Sequence, residues 1–140
     1  MIFQKIQLRL VSILFPRTKE RRQLALLNRK KRMCMQRYKQ SNTFQINESA
    51  VRSKAFSAKD AALLRARLFI CFGEFLVLLR AQYPSLTEDD LFLCICLVLQ
   101  LPKNLILFLT ITTPNALKMR RYRLRQKLSI EQYNQLFLSI

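Results

Sequence analysis

What most limits how this chain can fold is its lack of breakers: one glycine, Gly73, and four prolines in 140 residues. Tight hairpins need residues that readily take a positive φ, and the sequence offers almost none. Between the breakers it is rich in Leu, Arg, Lys and Gln, all strong helix formers. Alternation of apolar and polar residues with period two is hard to find. These features predict an all-α chain punctuated at Pro16, Pro84, Pro102 and Pro114. Hydrophobic residues make up 51% of it, enough to bury a core.

The organisation reads in three parts. Residues 1–40 begin with an apolar stretch that Pro16 should end, because proline cannot continue a helix without losing a backbone bond. Residues 17–40 then read as a basic helix whose thin apolar stripe is Leu24, Leu27, Cys34 and Met35. Residues 41–60 change to Ser, Asn, Lys and Gln with scattered apolar side chains, and predict a linker. Residues 61–140 carry the rest, with their core at 86–139. Helices are expected near 61–82, 87–100, 102–110, 114–127 and 129–139. The run from Leu68 to Leu79 is far short of the ~20 residues needed to span a bilayer and reads as a core helix.

The C-terminal part has the clearest local grammar. Thr87 followed by Glu88, Asp89 and Asp90 is a helix start, the hydroxyl capping a free N–H and the acids meeting the positive end of the dipole. Leu91, Cys94, Ile95 and Val98 mark its core face, and Leu93, Leu97 and Leu101 widen it. After Pro102, Leu105, Ile106, Phe108 and Leu109 make a short apolar helix. Leu105 and Leu107 leave that helix apolar on nearly every side, so the 61–82 helix or another subunit is expected to cover it. Thr113 is an N-cap with Pro114 at the first helical position. In the helix that follows, Leu117, Leu124 and Leu128 share one face, while Lys118, Met119, Tyr122 and Gln126 point away from it. Ser129 and Gln132 cap a last helix with Tyr133, Leu136, Phe137 and Ile140 on its apolar face.

Charge selects the partner class. The formal net charge is +17, which favours nucleic acid or an anionic membrane surface. Six basic residues and no acid lie between Lys118 and Lys127. Enzyme chemistry is disfavoured: there is no histidine, no Gly-rich phosphate loop and no nucleophile–base pair. Glu88, Asp89 and Asp90 are explained by capping. The cysteines, Cys34, Cys71, Cys94 and Cys96, show no paired spacing, which fits a reducing compartment such as the cytoplasm and no metal site. No cofactor is expected.

Two short apolar helices, a tight turn and a basic amphipathic helix form the pattern of a helix-turn-helix, whose third helix can enter a major groove while its apolar face stays on the core. The stretch Leu86–Leu128, about a third of the chain, resembles the LuxR-type helix-turn-helix found at the C-terminal ends of bacterial sensor-like regulators. The residues carrying the resemblance are Tyr83-Pro84-x-Leu86-Thr87, Asp90, Thr113-Pro114-x-Ala116-Leu117 and Arg121-x-Arg123-Leu124-x-x-Lys127-Leu128. It departs from the family at Gln100, where a glycine is usual, and at Leu105 and Leu107, where an acid and a small residue are usual. The resemblance implies a four-helix DNA-binding domain preceded by a helical N-terminal extension, and control of transcription on double-stranded DNA. Its DNA-binding residues would be Asn115, Lys118, Met119, Arg120, Arg121, Tyr122, Arg123, Arg125 and Lys127, with Asn115, Lys118, Met119 and Tyr122 facing bases and Arg121, Arg123 and Lys127 mostly holding phosphates. A homodimer would form through residues 129–139. Residues 1–40 are expected to meet an anionic membrane or a partner, which would place the protein near a membrane. The competing reading is a helical protein-interaction or membrane-surface module that uses the same fold without specific DNA binding.

Overall fold

The computed structural model describes the backbone of residues 2–43, 45 and 57–137, and the side chains of residues 19–43, 45 and 57–137. The principal helices are α1 (Ile2–Lys39), α2 (Ala58–Cys71), α3 (Gly73–Gln82), α4 (Glu88–Leu99), α5 (Lys103–Thr110), α6 (Pro114–Leu128) and α7 (Ile130–Phe137). The described residues contain no strand, as the scarcity of glycine predicts. None of their helices is long and apolar enough to cross a membrane. Residues 44 and 46–56 of the expected linker, and residues 138–140, which hold the end of the expected last helix and Ile140 of its apolar face, lie outside the described residues.

Three boundaries differ from expectation. Pro16 does not end a helix; α1 runs through it from Ile2 to Lys39. An interior proline costs about 3 kcal/mol, and the helix formers on both sides carry the helix across it. The expected helix 61–82 is two, broken at Phe72, whose backbone leaves the helical region at φ −104, ψ 12. It also starts earlier, at Ala58. The Ser57 side chain accepts from Asp60 N at 3.2 Å and the Asp60 carboxylate accepts from Ser57 N at 3.2 Å, a reciprocal cap. Hydrogen bonding from Ser57 holds the Asp60 carboxyl below its usual range.

The centre of the structure is α4. Every residue from Asp90 to Cys96 is buried, so other elements must cover it on all sides. Contacts to it come from α2, α5, α6 and α7. From α2, Phe69 stacks on Phe92 with ring centroids 5.5 Å apart, and the Arg65 guanidinium lies 4.4 Å from the Phe92 ring. Arg65 also bonds Asp89 at 3.1 Å and the carbonyl of Leu109 at 3.5 Å, tying α2 to α4 and to the end of α5. Leu105 is buried and Leu107 packs against the core, in a helix α5 that meets α2 and α4. Cys94 and Cys96 are free and buried. Burial pushes both thiols up, Cys96 to about 12, so they act as core side chains.

The second half of α1 belongs to this core. Leu27, Cys34 and Tyr38 are buried, with Leu24 and Met35 packed beside them. The stripe lies on α3, where Tyr38 meets Phe72 at 6.0 Å between ring centroids, and reaches α7, where Lys31 Nζ donates to the Leu136 carbonyl at 2.7 Å. Burial, reinforced by neighbouring Arg32, lowers the Lys31 pKa.

The connections on either side of α5 use left-handed backbone without glycine. Gln100 sits at φ 52, ψ 45 and Ile111 at φ 49, ψ 57. At the first, Leu101 N bonds the Cys96 carbonyl and Gln100 N the Leu97 carbonyl, each at 3.2 Å. At the second, Thr112 N bonds the Leu107 carbonyl at 3.2 Å and Ile111 N the Phe108 carbonyl at 3.4 Å. Both are Schellman closures, in which this position is usually glycine. A β-branched residue there is strained. Ile111 is 92% exposed, so little packing offsets the strain. Ile111→Gly should therefore raise stability by about 1 kcal/mol, the relief of left-handed strain less glycine's greater unfolded-state entropy. Leu124 is fully buried, and Leu124→Ala should cost about 2–5 kcal/mol. Urea unfolding measures both; a destabilising Ile111→Gly would show that the turn is not strained.

Candidate nucleic-acid interface

Helix α6 is the element whose chemistry is least explained by packing. Thr113 Oγ1 accepts from Ala116 N at 3.2 Å, and Pro114 follows at the first helical position. Leu117, Leu124 and Leu128 are buried, which fixes the rotation of the helix about its own axis. At ~100° per residue, Asn115, Met119, Tyr122 and Gln126 then run down the outward midline. All four are exposed, and the Gln126 amide donates to the Tyr122 hydroxyl at 3.0 Å, coupling two of them.

Basic residues line both sides of that midline. Lys118 and Arg125 stand on one flank and Arg123 on the other, all exposed. The Arg125 guanidinium lies 5.4 Å from the Tyr133 ring of α7. Arg120 and Arg121 sit nearer the core edge and are partly buried. The Nε of Arg121 is buried without a hydrogen-bond partner, and its charge acts on the Cys96 thiol. The outer face thus presents hydrogen-bonding and apolar groups in the middle and cations at its edges. A helix lying in a groove between two phosphate backbones needs that order.

Lys127 has another engagement. Its ammonium bonds the Asp90 carboxylate at 2.6 Å and the Ser85 carbonyl at 3.1 Å. Asp90 is itself the third residue of the α4 cap: Thr87 N donates to its carboxylate at 2.9 Å, and Asp90 N donates to Thr87 Oγ1 at 3.2 Å. The start of α4 is thereby bonded to the end of α6, which sets the angle at which α6 leaves the core. Sequence spacing assigns Lys127 to the basic face but does not disclose this pairing, since the two residues are 37 positions apart.

The other face assigned from sequence is also accounted for within the molecule. Tyr133, Leu136 and Phe137 of α7 are buried, with α1, α4 and α6 against the helix. The apolar side of α7 is therefore covered by the chain's own helices, while Ile130, Glu131, Asn134 and Gln135 of the segment 129–139 are exposed and residues 138 and 139 lie outside the described residues. Tyr83 adds a hydrogen bond from its hydroxyl to the Gln132 side chain. On α1, Lys19, Arg21, Arg22, Arg29 and Arg32 are exposed, forming a second cationic surface apart from α6.

Comparison with known proteins finds no matching family model, no matching curated protein and no matching solved structure. The reading of this surface therefore rests on its own geometry.

Asp90 makes the support under α6 testable. Burial works to raise its pKa, but the bonds from Lys127 and Thr87 outweigh it, and the net displacement is downward. A carboxyl depressed in the folded state stabilises fully above its unfolded value of about 3.9 and loses that contribution as pH falls through its folded value. Lys127→Met should cost about 1–2 kcal/mol at neutral pH. The stability difference from the parent protein should shrink below about pH 4, as Asp90 takes up a proton. Thermal unfolding from neutral to acid pH checks this; a difference independent of pH would mean the ion pair contributes nothing.

Proposed function

We propose that α6 is a recognition helix that enters the major groove of double-stranded DNA, making the chain a helix-turn-helix transcriptional regulator of the LuxR type. The observation that carries this reading is the ordered outer face of α6: Asn115, Met119, Tyr122 and Gln126 on the midline, and Lys118, Arg125 and Arg123 at the edges, with no acid among them. Asn and Gln can bond adenine edges, an apolar side chain can meet a thymine methyl, and the flanking cations match the phosphates of the groove walls. A solvated helix face needs charge but not this segregation.

The basic surface of α1 adds attraction that carries no sequence information. Because α1 packs into the core, it cannot simply be removed, so the test uses the full chain. Arg123→Ala should weaken binding to all duplexes about equally and lower the salt slope by ~1. Asn115→Ala should cost ~1–3 kcal/mol on a preferred site and relax selectivity there. Lys127→Ala should act on stability instead, since its ammonium is held by Asp90. Fluorescence anisotropy against a selected duplex and a random one separates these effects. Binding that ignores every α6 substitution but vanishes when Arg21, Arg22, Arg29 and Arg32 are changed to Gln would sink the proposal. The cationic contact would then belong to α1, and the helix-turn-helix would be scaffold.

A further inference from the structure

The side of α2 and α3 turned away from the core carries an apolar stripe. Leu63, Ile70 and Val77 stand seven residues apart and are 49%, 78% and 73% exposed. On the same face lie Ala66 and Ala81, both exposed. Gly73 is there too, and a Cβ added to it would meet nothing within 4 Å. The break at Phe72 leaves the stripe continuous, because Phe72 N still bonds the Leu68 carbonyl at 3.0 Å and Leu76 N the Phe72 carbonyl at 2.9 Å. The opposite face holds the core residues Leu64, Leu68, Phe75 and Leu79. Large side chains at one heptad position, with Ala66 and Gly73 at the other and Arg80 at its third occurrence beside Ala81, form the pattern of a two-helix seam whose small positions let the backbones approach at its centre. Such a stripe is most fully buried by one with the same repeat, and a two-fold axis supplies it from an identical chain.

We infer that this face joins two copies of the chain, their α2–α3 helices antiparallel. The flanking charges choose the direction. Arg67 and Glu74 lie on the same side of the stripe, one heptad apart. An antiparallel two-fold sets Arg67 of each copy beside Glu74 of the other. It also seats Ile70 against Gly73 and Val77 against Ala66, large into small, and lays the aliphatic stem of Arg80 along Leu63 at each end of the seam. A parallel pairing would instead set Arg80 against its own copy. Glu74 already accepts from Lys30 at 3.3 Å and lies 3.5 Å from Arg37, and it remains 49% exposed, so its carboxylate is accessible to a further cation. The seam spans α2 and α3, roughly 36 Å of helix, and sits near the lower end of specific interfaces at roughly 1,000 Å2. A dissociation constant on the order of 10 μM is expected.

The test needs no nucleic acid and so stands apart from the DNA-binding reading. Sedimentation velocity of the full chain is followed from about 1 to about 200 μM, with salt at ~0.3 M to screen the net charge. The protein should pass from monomer to dimer. Ile70→Asp should stay monomeric throughout with unchanged helicity and melting temperature. Arg67→Glu should weaken the dimer about tenfold, and Arg67→Glu with Glu74→Arg should restore it. Because Cys34, Cys71, Cys94 and Cys96 are buried, an added surface cysteine dominates oxidation. Ala66→Cys protein mixed with Val77→Cys protein should form a disulfide that neither forms alone. Cross-linking of Ala66→Cys with itself would overturn the antiparallel arrangement. A chain monomeric at every concentration, or one whose association ignores Ile70→Asp, would overturn the interface. So would a monomer that binds anionic vesicles through Ile70, which would make lipid the occupant.

Discussion

Seven consecutive residues of α4, Asp90 to Cys96, are buried, and the rest of the architecture answers that constraint. A helix with no exposed side along two turns cannot sit at a surface. It needs neighbours all round, and α2, α5, α6 and α7 supply them. Once α6 must give α4 its leucines, Leu117, Leu124 and Leu128, its polar residues have only outward positions left. The face proposed to read DNA is thus a consequence of burying α4. The Asp90–Lys127 pair fixes the remaining freedom, the tilt of α6, because it bonds the first turn of one helix to the last turn of the other. The carboxylate that closes the α4 cap also positions α6.

Much of this is legible in the sequence where the signal is local. Thr87 with Asp90, Thr113 with Pro114, and the leucine spacing of α6 place two helices and one rotation within a residue or two, since capping and periodicity act over a single turn. The Ser57–Asp60 cap is equally local, but it stands in a stretch whose polar composition reads as linker. Long-range features are not legible in the same way. Nothing near Lys31 says that it will meet the Leu136 carbonyl, and nothing near Lys127 says that it will meet Asp90, because those partners are brought together by tertiary packing. Tyr38 illustrates the middle ground. Leu24, Leu27, Cys34 and Tyr38 share a heptad face, but one tyrosine among so many cations is not an obvious core residue until Phe72 is opposite it.

Glycine scarcity has a structural consequence beyond helix content. Helices α4 and α5 both end in Schellman closures, and the left-handed residue is Gln100 in one and Ile111 in the other. The departure at Gln100, visible as a sequence anomaly, is in the folded chain a residue holding a glycine conformation. The helix ends are therefore set by the hydrogen bonds they close and by the packing of α4, and the backbone follows at some cost in strain. In the turn before α6 that strain lies on an exposed isoleucine beside the start of that helix. Relieving it should affect stability more than shape, since the packing of Leu117 and Leu124 still fixes where α6 lies.

The few acids of the chain decide where its positive charge can act. Of eight acidic residues, Asp60 caps α2, Asp89 holds Arg65, Asp90 holds Lys127, and Glu74 holds Lys30 and Arg37. Those acids stabilise helix starts and junctions between helices, and Glu74, Asp89 and Asp90 neutralise cations that sit at such junctions. The outer face of α6 and the exposed side of α1 keep their cations, and α6 has no acid of its own. Among the described residues, clusters of exposed cations stand on these two surfaces, and that of α6 combines them with a midline of Asn, Met, Tyr and Gln. A polyanion would be attracted to both surfaces over about a Debye length. Discrimination among polyanions requires directional contacts, which exposed lysines and arginines alone do not supply, and α6 is where directional groups and cations coincide.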